Sequence, residues 1–326
     1  MGRRVPKLKR IAGEDAAMLP VVHHLKNVSL CGDSGFVFDG NGSLYDVSAP
    51  ISAKSKIRRP VRAAASKHLT GKVFHLAGEC SWNRAHFMLE HGVRPMIGHE
   101  SGELARCESL LIHRKQASWL AEYLAFFEGA ASHLPQVTTD KYTVICEELF
   151  FVPGASGDLL RFPDDVYGRY GCYLRRSVEK LLGPIANGGH AVWISRADAP
   201  ERSCQNVDEL QRLFLDITGR VVVVVLLSGM PLAEQIEQLS SAAVIVAEEG
   251  QALNLLPFVT AKQVVLLDKG ESSAQSRWNR GFEDIAKSVG NEVHCLFSEL
   301  DSTVLQWEYP ALKFRDEIQA LDGLKL

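Results

Sequence analysis

The sequence predicts an α/β fold in two lobes, the second of them a doubly wound parallel sheet. Three observations predict it. From His190 onward, apolar runs ("HAVWIS", "VVVVVLL", "AVIVA", "QVVLLD", "EVHCLF") alternate with amphipathic stretches ("NVDELQRLFLDIT", "LAEQIEQLSSA", "RGFEDIAKSVG"). Strands covered on both faces need apolar residues at every position, and their alternation with helices is the pattern of a parallel sheet. At 326 residues the chain is longer than one hydrophobic core usually serves. The loop "GPIANGG" interrupts the pattern just before His190 and sets the boundary, giving lobes 1–188 and 189–326.

The elements of the first lobe are less regular. "FVFDGNGSLY" reads as a hairpin, because "DGNG" supplies the positive φ angles of a tight turn. "KVFHLAG" reads as a strand feeding a helix over "ECSWNRAHFMLEHG", residues 79–92. In that helix Asn83, His86 and Glu90 fall at i, i+3 and i+7 and form a narrow polar stripe among apolar residues. Two readings of the stripe are open: a surface His86–Glu90 pair, or the lining of a cleft built from groups that move protons or bind hydroxyls. Residues 106–128 show helical spacing, "YTVICEELFFV" reads as a strand, and a long helix runs from about Val166 to Leu182 with Asp164 and Asp165 at its start. In "QWEYP", Trp307 and Tyr309 suit either a sugar platform or the packing of a C-terminal helix, with packing favoured.

Composition removes several function classes. The 36 basic and 39 acidic residues leave a net charge of −3, so no broad field invites nucleic acid. The exception is "MGRRVPKLKR", which is either a solvated tail or a patch for peripheral contact with an anionic membrane surface. Seven scattered cysteines without a C-x-x-C pair signal neither a disulfide framework nor a zinc site. No apolar run reaches the length of a membrane span and no signal peptide is evident, so the expected location is the cytoplasm or the inner face of its membrane.

In a parallel sheet, ligands bind beyond the carboxyl ends of the strands. Ser195 and Arg196 follow the first strand of the second lobe, with Arg202 close behind, and a guanidinium there suits a diphosphate. After the third strand comes "EEGQALN", where Gly250 permits close approach of the backbone and Gln251 to Asn254 begin a helix whose free N–H groups favour phosphate. Glu248 and Glu249 set negative charge beside that site. There is no G-x-G-x-x-G and no P-loop, which removes most support for dinucleotide oxidoreductases and P-loop NTPases. There is no Asp-x-Asp pair either, so no metal site is expected.

Taken in order, "NRAHFMLE", "VWISRADAPERSCQNVDEL" and "LAEQIEQLSSAAVIVAEEGQALNLLPF" resemble the signature segments of glycosyltransferase family 61, and the chain resembles a divergent, bacterial-type member. The first is similar to that family's N-x-x-H-x-x-x-D/E helix through Asn83, His86 and Glu90. The second is similar to its I-S-R strand end and Asn-acidic helix start through Ser195, Arg196, Asn206 and Asp208. The third is similar to its P-H-G-A-G-L-x-N loop, except that Glu249 stands in place of the histidine and Gln251-Ala252 in place of Ala-Gly.

The resemblance implies two Rossmann-like lobes of the GT-B type facing a cleft, the first binding a glycan or glycolipid acceptor and the second a nucleotide sugar such as a UDP-sugar, with the last helix a candidate to pack back on the first lobe. It implies an inverting, metal-independent transfer with no cofactor beyond the donor substrate, serving surface polysaccharide or lipopolysaccharide synthesis. Imidazole has the proton affinity that a base at neutral pH needs, so His86 is the expected base, Glu90 its orienting partner and Asn83 a support for the loop or a sugar hydroxyl. Two competing readings remain: a donor-site-impaired scaffold subunit, motivated by Glu249, and a GT-B-like polysaccharide pyruvyl transferase.

Overall fold

A computed structural model describes residues 8–9, 21–31, 34–45, 66–78, 80–115, 117–139, 143–153, 162–198, 203–248, 250–259, 262–268, 282–298 and 306–325. The chain divides into two compact units, Met1–Tyr173 and Leu174–Leu326, and the division falls inside the helix Asp164–Leu182, ahead of the "GPIANGG" loop. Among the described residues no helix is long and apolar enough to cross a membrane. Apart from Leu8–Lys9, the basic first ten residues lie outside the described residues.

The N-terminal unit is built on an eight-stranded mixed sheet in the order Leu8–Lys9, Leu44–Tyr45, Phe36–Phe38, His23–Cys31, Thr143–Phe151, Lys67–His75, Ser109–Ile112 and Gln136–Thr138. The hairpin forms as the turn residues dictate: Asp39 Oδ1 accepts from the N–H groups of Asn41 and Ser43, and Gly42 takes φ +76°. The last four strands run parallel. From Gln136–Thr138 inward they lie third, second, first and fourth in chain order, the order of the first four strands of a doubly wound sheet. Its switch point lies between Lys67–His75 and Thr143–Phe151.

One expectation is overturned. Residues 106–128 are not one helix: Ser109–Ile112 is a buried parallel strand and the helix is confined to Ala117–Ala125. A three-residue apolar run such as Leu110–Ile112 has the same appearance in a buried strand as in a buried helix, and here the strand ladder beside Val73–His75 prevails.

The C-terminal unit follows the expected plan. Ser203–Cys204 pairs with Gln306–Trp307 in a small two-stranded sheet, and the main sheet has five strands, all parallel, in the order Val222–Val225, Ala191–Ile194, Val244–Glu248, Gln263–Asp268 and Glu292–Phe297. Numbered along the chain this is 2-1-3-4-5, with the switch point between Ala191–Ile194 and Val244–Glu248. Trp307 and Tyr309 are core residues, packed with Trp193, Phe214 and Phe314 between the sheet and the helices Val207–Thr218 and Ala311–Ala320. The sugar-platform reading of the pair is therefore set aside. Asn206 fastens this arrangement, its amide donating to the Tyr309 carbonyl (2.8 Å) and its Oδ1 accepting from the Tyr309 N–H (3.0 Å).

In the N-terminal unit, helix Val93–Glu100 lies close against Lys67–His75, the central strand of the parallel part, because Gly98 has no side chain. A methyl group there would sit 2.6 Å from the Phe74 ring and 3.1 Å from Leu104 Cβ. Gly98→Ala is expected to lower the unfolding free energy by about 1–3 kcal/mol, the usual cost of overpacking. Urea unfolding checks it; a midpoint unchanged at constant slope would show that the ring yields without cost.

Candidate active site

The candidate residues fall into two groups, one in each unit. In the N-terminal unit the chain leaves the carboxyl end of Lys67–His75 at the switch point, turns through Cys80 in the left-handed region (φ +59°), and enters a helical segment at Asn83. Asn83 is the N-cap. Its Oδ1 accepts from the N–H groups of Ala85 (2.9 Å) and His86 (3.3 Å), satisfying two donors that a helix start leaves open. It stands at the head of the helix and does not continue the stripe.

The segment is not a regular α-helix. Arg84–His86 is followed by a π-helical turn, Phe87–His91, closed by a Gly92 N–H to Phe87 carbonyl bond of 2.6 Å, and then by the α-helix Val93–Glu100. Pro95 supplies a reason. It has no N–H to give the His91 carbonyl, and in a regular helix its ring would collide with that carbonyl. A wider turn at this point relieves the collision.

Neighbouring side chains hold the turn. Tyr167 Oη donates to the Leu89 carbonyl (2.7 Å), and Tyr170 Oη lies 3.5 Å from Met88 Sδ. Gly92 leaves the room that the Tyr170 hydroxyl occupies, and Gly78 is covered by the His91 ring, so a methyl group at either glycine would overlap its neighbour.

Within the turn, His86 Nδ1–H donates to Glu90 Oε1 at 2.8 Å. A carboxylate can only accept, so the contact assigns the proton to Nδ1 and the basic lone pair to Nε2. Glu90 is 7% exposed and His86 half-buried. The other carboxylate oxygen lies 3.8 Å from His91 Nε2.

One helical turn further on is Arg94, 2% exposed, whose Nη1 donates to His75 Nδ1 at 3.3 Å. Burial pushes the Arg94 guanidinium down to about 10 against the opposing pull of Glu90. Burial and the Arg94 charge hold His75 well below its usual 6.5. His75 and Arg94 were not singled out from sequence. The signal existed, because Arg94 extends the 86, 90 spacing by four more residues.

In the C-terminal unit, Ser195 and Arg196 follow Ala191–Ile194 at the switch point. Ser195 Oγ accepts from the Ala197 N–H (3.2 Å) and so shapes the turn that carries Arg196. Across the switch point Gly250 precedes a 3-10 helix, Gln251–Phe258. Its backbone is extended (φ 161°), so the glycine is required for space: a methyl group would overlap Arg196 Nη1.

The structure thus brings Arg196 and Gly250 together from two strand ends. Asn254, 3% exposed, lies in the same 3-10 helix. Glu248 is turned inward, 2% exposed, with its Oε2 accepting from the Cys204 N–H at 2.7 Å, so its charge is directed at the main chain. Arg202 and Glu249 lie outside the described residues, and of Gln251 only the backbone is described. Among the described residues no cluster of three or more His, Cys, Asp or Glu is placed to hold a metal ion.

Residues 84–266, more than half of the chain, match the model of the family described as Glycosyltransferase 61. The match begins one residue after Asn83 and spans His86, Glu90, Ser195, Arg196, Gly250 and Asn254. No curated protein matches the chain.

The buried His75 has a consequence for stability. Its native proton affinity is depressed, so below about pH 6.5 the unfolded chain takes up a proton that the native protein refuses. Stability from this group is present above that pH and lost as pH falls, with a slope of up to about 1.4 kcal/mol per unit. In denaturant titrations between pH 7 and 5, His75→Gln is expected to show a shallower loss than the wild type. Equal slopes would mean that His75 charges in the native state.

Proposed function

The chain belongs to the glycosyltransferase 61 family, and on that premise we propose that it moves a sugar from a nucleotide-sugar donor to a glycan or glycolipid acceptor, with inversion at the anomeric carbon. The family implies sugar donor and acceptor substrates; the nucleotide, the inversion and the residue roles are our reading. We assign the N-terminal unit to the acceptor and the C-terminal unit to the donor, as the two lobes of a GT-B enzyme. We place the reaction in surface polysaccharide or lipopolysaccharide synthesis, in the cytoplasm or at the inner face of its membrane.

The observation that carries the reading is the 2.8 Å His86–Glu90 contact beyond the carboxyl end of the central strand. In the proposed step His86 Nε2 takes the proton of an acceptor hydroxyl while that oxygen attacks the anomeric carbon. The bond from that carbon to the diphosphate oxygen breaks on the opposite side. Glu90 stabilises the imidazolium that forms, and Asn83 positions the helix start that bears it.

The departing diphosphate gains negative charge, which Arg196 and the N–H groups at the start of the 3-10 helix behind Gly250 are suited to receive. This stabilisation needs no metal. Ser195 holds the Arg196 turn. Arg202, Glu249, Gln251 and Asn254 remain proposed donor contacts on the strength of the sequence.

The test separates binding from chemistry. Calorimetric titration with UDP, GDP and TDP, with and without a chelator, is expected to find one diphosphate that binds independently of metal. Arg196→Ala should weaken it by about 1.5–3 kcal/mol, the range for hydrogen bonds to charged groups. His86→Ala should leave that affinity unchanged and lower the turnover of the matching nucleotide sugar by about 10²–10⁴-fold. Binding without turnover in the wild type would favour a scaffold subunit, and turnover of phosphoenolpyruvate instead would favour pyruvyl transfer.

A further inference from the structure

Strand Val222–Val225 is the outermost strand of the C-terminal sheet, and among the described residues it is paired on one side only, with Ala191–Ile194. The run "VVVVVLL", residues 221–227, holds no charge, proline or glycine, so the residue types by which proteins keep a sheet edge from pairing are missing from it. Of the nine large apolar side chains exposed among the described residues, five lie at this one place: Val221, Val223, Val224, Leu226 and, on the flanking helix Val207–Thr218, Leu215. Val221 is 65% exposed and Val224 50%. Singly scattered apolar residues need no explanation, but a concentration on an unpaired strand does.

The backbone adds direction to the argument. The carbonyls of Val221 and Val225 accept from the N–H groups of Ala191 and Ser195. By the alternation of a ladder, the N–H and C=O groups of Val222 and Val224 face away from the sheet.

We propose that this edge pairs with the same edge of a second copy of this chain, antiparallel across a two-fold axis through Val223. Val222 of each copy then exchanges both backbone hydrogen bonds with Val224 of the other, four bonds in all, and two five-stranded sheets become one of ten. A run of valines reads alike in both directions, so such pairing sets valine against valine. The flanking helix supplies self-complementary charge. Asp208, Gln211, Arg212 and Leu215 border the recess beside Val221 and Val222. The two-fold axis keeps both helices on the same face and reverses one against the other, so that the Asp208–Arg212 row of each copy meets the same row inverted, acid to base. The paired edge also covers Leu215.

Sedimentation velocity on the full chain, across a concentration series, tests this. The wild type is expected to sediment at twice the chain mass. Val224→Lys buries an unpaired charge at the pairing edge and should raise the dimer Kd by more than about 30-fold. Arg212→Glu should also weaken the dimer, and the double reversal Asp208→Arg with Arg212→Asp should restore it, while thermal unfolding confirms that each variant folds. A wild type that stays monomeric at the highest concentration, or a dimer that Val224→Lys leaves intact, would overturn the proposal. So would a double reversal no better than the single change.

Discussion

The N-terminal site depends on one backbone feature, the π-helical turn Phe87–His91. The turn stacks Glu90 under His86, turns the His91 ring onto Gly78 and delivers Arg94 to the buried end of the central strand. Of these contacts only the His86–Glu90 pair is local in the chain. The turn is held from outside by Tyr167 and Tyr170, so helix Asp164–Leu182 fixes the geometry of a pair almost eighty residues earlier in the chain. Burying Arg94 is costly, and the contacts with His75 and the charge of Glu90 compensate it only as long as the turn stays closed. The stripe is therefore a constrained polar cluster whose members support one another.

The two units place their polar residues by the same rule. Each has a set of parallel strands whose order reverses once, and at such a reversal two neighbouring strand ends diverge and leave room beyond their carboxyl ends. In the first unit the gap is followed by Gly78 and the Asn83 cap; in the second it is flanked by Arg196 and Gly250. Close approach explains both glycines, since His91 covers one and Arg196 the other.

Much of this was legible in the sequence, and the parts that were not share a cause. The C-terminal sheet could be read because strands buried on both faces are apolar throughout, a signal that survives without tertiary information. "SLLI" could not be assigned, because three apolar residues flanked by helical spacing carry no period of their own. The i, i+4 relation of His86 and Glu90 was readable, whereas the π-turn was not; Pro95 was its one trace. Asn83 suits a cap as well as a sugar contact, and its place before the helix is what decides where its Oδ1 is directed. Glu248 faced a neighbouring strand end whose Cys204 N–H lies 44 residues away in sequence, a pairing that spacing cannot reveal.

The proposed reaction requires that Glu90 hold His86 in the tautomer that carries its proton on Nδ1. Nitrogen-15 NMR of histidine-labelled protein above neutral pH reads this directly. A protonated Nδ1 and an unprotonated Nε2 are expected for His86 in the native protein, with that preference lost in Glu90→Ala while the protein remains folded. A proton on Nε2 in the wild type, or a tautomer indifferent to Glu90, would contradict it.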